Sequence, residues 1–168
     1  AEQGNIHNFR GDLKGAMSNA DVFIGLSGPN VLTVDHLKPM AKNAIVFAMA
    51  NPDPEIDPES AVPYVRVIAT GRSDYANQIN NVLAFPGVFR GILDSRSKGV
   101  NDEMKIAAAW AIASAIPRRH LNEEYIIPSV FDKSVVRRVA GAVAKTARAT
   151  GMAPAKRSKT TEFVELSV

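Results

Sequence analysis

Three short runs of the chain are dominated by apolar, largely β-branched residues: Asp21–Leu26 (DVFIGL), Ala44–Ala50 (AIVFAMA) and Val65–Thr70 (VRVIAT). Continuous rather than alternating apolarity predicts strands buried on both faces, as in a parallel sheet covered by helices. A helix is expected around Asn8–Ala20, before the first strand. A second is expected from Thr33, its N-cap, through Val34, Leu37 and Met40. Between the second and third strands, NPDPEIDPE carries three prolines and reads as a turn-rich loop. Its acids Asp53, Glu55, Asp57 and Glu59 are expected to face solvent rather than gather around a metal. Strand, helix, strand, loop, strand is the order of an α/β fold.

Beyond residue 100 the period changes to that of helices. Asn101 can cap a helix whose apolar stripe is Met104, Ala107, Ala108, Ala111, Ile112 and Ala115, and Pro117 ends it. Asp132 can cap a second, with Val135, Val136, Val139, Ala140, Val143, Ala144 and Ala147 on one face and Gly151 just past its end. Stripes of alanine and valine predict close helix packing. The expected organisation is 1–100 as a sheet-based domain, 101–152 as helices packing on it, and 153–168 as a tail without a clear period.

Composition narrows the class. The 168 residues are 46% apolar and 22% charged, enough for a globular core. Net charge is +3, and eight Lys or Arg with no acid fall between Lys133 and Lys159. Aromatics are not interleaved with these cations, so they read as a solvated helix face and tail, and no nucleic-acid partner is expected. Without cysteine the chain has no disulfide or thiolate metal site. No apolar run approaches the roughly 20 residues of a membrane span, and the first residues do not resemble a signal peptide. A cytoplasmic location is the default expectation.

Candidate chemistry follows from the predicted sheet, because open parallel sheets bind ligands outside the carboxyl ends of their strands. The three ends lead into Ser27–Asn30, into Asn51–Pro52 and into Gly71–Asp74. Then come four amides within five residues: Asn77, Gln78, Asn80 and Asn81. An amide offers two donors and an acceptor without a charge to desolvate, which suits a carboxylate, a hydroxyl or a carboxamide. Asn77 and Gln78 are expected on the solvated surface. Asn81 is the favoured functional residue, and Asn80 or Asn81 is expected to open a helix. Arg72 and Asp74 can brace their own loop. His7, His36 and His120 show no metal-ligand spacing, and neither a G-x-G-x-x-G nor a phosphate-loop motif occurs.

In order and spacing, DVFIGLSGPNVLT, IVFAMANPDPEI, VIATGRSDYANQINNVLAFPGVFRGILD, NDEMKIAAAWAIA and IIPSVFD resemble bacterial malic enzymes over roughly residues 1–152. The resemblance implies a Rossmann-like parallel sheet with flanking helices, incomplete because its N-terminal part is missing, followed by C-terminal helices. It implies oxidative decarboxylation of L-malate to pyruvate and CO2 with NAD or NADP and a divalent Mg or Mn ion. It also implies that Asn51 and Asn81 line the site between nicotinamide and malate. By the same likeness Ser27 and Gly28 pass along the dinucleotide, and Asn80 shapes the turn beside it. Arg72, Ser73 and Asp74 match the bacterial pattern without an assigned contact.

No catalytic residue and no metal ligand can be mapped onto this segment. The family's Tyr, Lys, acidic cluster and Gly-rich loop are expected in the rest of the enzyme polypeptide, so this chain alone is expected to be inactive. A homo-oligomer is expected. Two other readings are weighed beside this one: a malolactic-type enzyme, and a non-catalytic dinucleotide-binding or interaction module using the basic C-terminal helix.

Overall fold

The computed structural model describes residues 4, 5 and 8–154. From residue 155 the expected tail lies outside the described residues. By contacts the chain divides into two compact units. The first holds the described residues up to Asn81 together with Ile116–Phe131; the second holds Val82–Ala115 and Asp132 onward.

In the first unit the three apolar runs become β1 (Val22–Gly25), β2 (Ile45–Ala48) and β3 (Val67–Thr70). They form one parallel sheet in the order β1-β2-β3. Burial on both faces is not reached at β1. Val22 is 47% and Ile24 59% exposed, while Val46 and Ala48 of β2 are fully buried. Among the described residues β1 has one strand neighbour, β2, and Val22 and Ile24, two residues apart, share the exposed face. The core of this unit is built from Met17, Leu32, Leu37, Val46, Ile56 and Ala61, among others, with Phe23 and Ile68 packed against it.

The helices of this unit are shorter than their patterns suggest. Only Leu13–Met17 (α1) forms in the stretch expected from Asn8 to Ala20. Asn8 and Asn19 adopt left-handed backbone with φ of 51° and 58°, which a continuous right-handed helix excludes. Asp12 supplies the cap, accepting from Gly15 N at 2.8 Å. Thr33 is the N-cap of α2 (Val34–Leu37), and His36 Nδ1 accepts from Thr33 N at 3.0 Å. Pro39, which has no N–H to donate, follows at once. A helix absent from the sequence reading, α3 (Pro58–Ala61), arises inside the proline-rich loop. Pro58 starts it and Asp57 caps it, accepting from Ser60 N at 3.0 Å.

The second unit consists of α4 (Phe85–Ser95), α5 (Asp102–Ala113) and α6 (Lys133–Ala149). Caps and stripes agree with the periodicity. Asn101 Oδ1 accepts from Met104 N at 3.0 Å, and Asp132 Oδ1 accepts from Ser134 N at 2.8 Å. Val135, Val139, Ala140, Val143, Ala144 and Ala147 are all buried. α4 meets α6 through two glycines. A Cβ on Gly87 would stand 2.5 Å from Val139 Cβ, and one on Gly91 2.7 Å from Ala140 O. Only glycine permits an approach this close. Gly151, with φ of 75°, follows α6.

Candidate functional site

Strand register sets the site. Gly25, Ala48 and Thr70 stand in one row across the sheet, the last residue of each strand. Because the strands are parallel, the segments that follow all leave from the same edge. Ser27 and Gly28 come two and three residues after β1, and Asn51 three after β2. After β3 the chain turns back and Ile79 N donates to Thr70 O at 2.7 Å, so Asn80 and Asn81 also emerge beside that edge. Ser27, Asn51, Asn80 and Asn81 are exposed and Gly28 is half-buried. Asn51 is joined to Pro52 by a cis peptide bond. Asn81 opens a single 3-10 turn, Asn81–Leu83, rather than the helix itself; α4 begins at Phe85 with Ala84 as its N-cap.

The acidic loop departs most from expectation. Asp53, Asp57 and Glu59 do face solvent, but Glu55 is completely buried. Its Oε1 accepts from Ser27 N and its Oε2 from Ala50 N, both at 3.0 Å. Leu32 N donates to Glu55 O at 2.8 Å, and Asn30 N to Pro54 O at 3.1 Å. The loops after β1 and β2 are thus tied side by side. Buried charge is costly unless hydrogen-bonded, and here both oxygens have backbone donors. The signal was available in part: an acid between Pro54 and Ile56, and a glycine, Gly25, closing the neighbouring strand.

The amide run divides into two fates. Asn77, expected at the surface, is 7% exposed with φ of 56°. Its Nδ2 donates to Ile68 O at 3.1 Å and to Glu123 O at 2.8 Å, while its Oδ1 accepts from Ile126 N at 2.8 Å. It therefore pins the open edge of β3 to the returning segment 116–131. Gln78 is half-buried and donates to Gly71 O at 3.4 Å. The loop between is braced as the sequence suggested. Arg72 Nε donates to Asp74 Oδ1 at 2.9 Å, and its guanidinium lies 5.1 Å from the Tyr75 ring centroid. Hydrogen bonding to Arg72 holds the Asp74 carboxyl below its ordinary value. Asp74 in turn raises Arg72, and the charge of Asp53, on the loop after β2, reaches Arg72 as well. Burial pushes the Tyr75 phenol up.

What this edge can hold follows from its surface. Nothing lies within 4 Å of where a Cβ would stand on Gly28 or Gly71, so a ligand can approach the backbone of both loops closely. Small residues, open backbone and uncharged amides leave this edge able to hydrogen-bond a ligand without a charge to desolvate. A divalent ion finds no such fit: among the described residues no three His, Asp or Glu gather. A cavity of about 220 Å³ lies elsewhere in the same unit, lined by Arg66, Thr70, Tyr75, Asn77 and Glu123 among others. None of Ser27, Gly28, Asn51, Asn80 or Asn81 lines it.

Similarity to known proteins is extensive. A family profile described as the malic enzyme NAD binding domain matches residues 10–148. The NAD-dependent malic enzyme of Geobacillus stearothermophilus is 60% identical over 153 residues, covering 91% of this chain and 32% of that protein. The bifunctional malic/malolactic enzyme of Bacillus subtilis (strain 168) is 55% identical over 144 residues, covering 85% of this chain and 35% of that one. Among solved structures, malic enzyme from Pyrococcus horikoshii Ot3 superposes with a TM-score of 0.84 at 48% identity, over 90% of this chain and 35% of the other. Malic enzyme from Entamoeba histolytica gives 0.86 at 37% identity, over 92% and 32%. The chain spans about a third of the length of these relatives.

Proposed function

The chain belongs to the malic enzyme family, through that family's NAD-binding domain, and from this premise we propose that it forms the cofactor-facing part of an enzyme that oxidises and decarboxylates L-malate to pyruvate and CO2. The cofactor is NAD or NADP, which when bound supplies the hydride acceptor. The Mg or Mn ion of the reaction belongs to the rest of the polypeptide. Among the described residues no three acids or histidines gather to hold it, and no step is assigned to it in this chain.

The observation that carries this reading is the exposed row of polar groups on one carboxyl edge: Ser27, Asn51 and Asn81. Asn51 and Asn81 offer their amides to the malate carboxylate and hydroxyl and to the nicotinamide carboxamide. They hold the two near attack distance, and such orientation removes much of the barrier to a bimolecular transfer. The amides add no charge, so closing the site desolvates none on their account. Ser27 and Gly28 lie along the dinucleotide, and Asn80 shapes the turn that presents Asn81.

The full-length enzyme, given L-malate, Mg and either NAD or NADP, is expected to produce pyruvate and reduced cofactor in equal amounts. Absence of malate-dependent cofactor reduction overturns the reading. Lactate without net reduction would instead favour the malolactic alternative, which the Bacillus subtilis relative's bifunctional description keeps in view. The isolated 168-residue chain is expected to show no malate oxidation, since the catalytic Tyr and Lys and the acidic metal cluster of the family are expected in the rest of the polypeptide.

A further inference from the structure

We propose that Glu55 is the positioning residue of this edge: its buried carboxylate sets the spacing of the two loops across which the dinucleotide lies, and with it cofactor affinity. The proposal rests on the function read above. Glu55 has no exposed surface, so it touches no ligand and acts only through what it holds.

What it holds is specific. Its two oxygens take backbone N–H groups from two different loops, Ser27 N and Ala50 N. One donor is itself a residue assigned to the dinucleotide path. The other immediately precedes Asn51. A displacement of the carboxylate therefore moves Ser27 and Asn51 relative to each other. The main chain adds two further ties between the same loops, Asn30 N to Pro54 O and Leu32 N to Glu55 O. Space for the side chain exists because Gly25 has no Cβ: one there would stand 2.4 Å from Glu55 Cδ and Oε1. A buried apolar residue packs at lower cost than a carboxylate. What the carboxylate adds is two acceptors that meet two donors at once, charge-assisted and fixed in direction. Sites are held to useful precision by such locked supporting groups.

The test uses the full-length enzyme and whichever of NAD and NADP the wild type binds more tightly. In Glu55→Gln one acceptor becomes a donor facing an N–H, at constant volume. In Glu55→Asp both acceptors remain but sit one methylene short. By titration calorimetry without malate, each variant is expected to bind the cofactor about tenfold more weakly, as leaving one backbone donor unmet implies. In turnover the cofactor KM rises by a similar factor while kcat changes less than threefold. Val139→Ala, in the helical unit, serves as the comparison: its melting temperature falls but its cofactor affinity is unchanged. Cofactor affinity within twofold of wild type in Glu55→Gln, with only the melting temperature lowered, overturns the proposal. Should the variants fail to fold, amide exchange in the wild type without cofactor decides: slow exchange at Ser27 and Ala50 supports it, and fast exchange overturns it. A wild type that binds neither NAD nor NADP sinks the function and this proposal together. A wild type that binds, with variants unaffected, sinks this proposal alone.

Discussion

The two compact units are assembled by opposite means. In the helical unit, surfaces do most of the work: Gly87 and Gly91 let α4 close on the valine and alanine stripe of α6, while polar ties such as Arg148 to Asp94 O at 3.2 Å and Asn101 to Thr150 at 3.0 Å sit toward the helix ends. In the sheet unit, individual polar side chains fix the loops. Glu55 ties the first two, and Asn77 ties β3 to the segment around Glu123. Close packing of small residues sets a distance between helices but does not specify a direction at a loop tip. Directional bonds do, and at the edge where ligands are expected Glu55 supplies them. The same contrast appears four residues apart, in Asn77 and Asn81. One amide is spent on backbone, and the other is left at the surface.

Breaking that contrast should hurt most at Asn77. Asn77→Ala leaves Ile68 O, Glu123 O and Ile126 N without their partner and puts alanine at φ of 56°. Its expected cost is about 4 kcal/mol, from unmet buried groups and left-handed backbone together. Chemical denaturation of the full-length enzyme measures it, and a loss below about 1 kcal/mol would mean that the amide is not a structural pin.

Asn81→Ala should do the reverse. With its side chain at the surface, the melting temperature should stay within a degree or two, while turnover of malate falls about a hundredfold, roughly 2.7 kcal/mol of barrier. An unchanged rate removes Asn81 from the site.

Gly91→Ala probes the helical unit. A Cβ only 2.7 Å from Ala140 O and 2.8 Å from Val143 Cβ must push α4 and α6 apart, costing about 2 kcal/mol. Cofactor affinity should not change. If it falls along with stability, the separation drawn between the two units is wrong.

The smallest effect is expected at Asp57, whose Ser60 partner holds its carboxyl below the ordinary 3.8. Loss of this cap in Asp57→Ala should cost about 1 kcal/mol or less at pH 7, the group being largely solvated. A carboxyl lowered in the folded state stabilises it above the ordinary value and loses that contribution as pH falls through the lowered one. Wild type and variant should therefore begin to converge as pH falls below the ordinary 3.8 and meet only below the lowered value. A gap that fails to narrow over that range would show that the cap does not act through its charge.

Strands, their order of appearance and the two long helices were readable because each repeats a simple period. The α6 stripe and the caps at Asn101 and Asp132 need nothing beyond residues close in sequence. Short helices were over-read, since left-handed Asn8 and Asn19 break a pattern that apolar spacing alone would continue. The residues that fix the edge escaped for a different reason. Glu55 reaches Ser27 across 28 positions and Asn77 reaches Ile126 across 49, and no local pattern announces a bond at that separation.

The sequence by itself therefore determined the α/β class, the family likeness and the run of polar residues after each strand, all matters of composition and spacing along one line. Only the tertiary structure decided which polar groups are spent and which remain open. That choice depends on where backbone donors from distant loops converge, and Glu55 and Asn77 are buried because such donors meet them there.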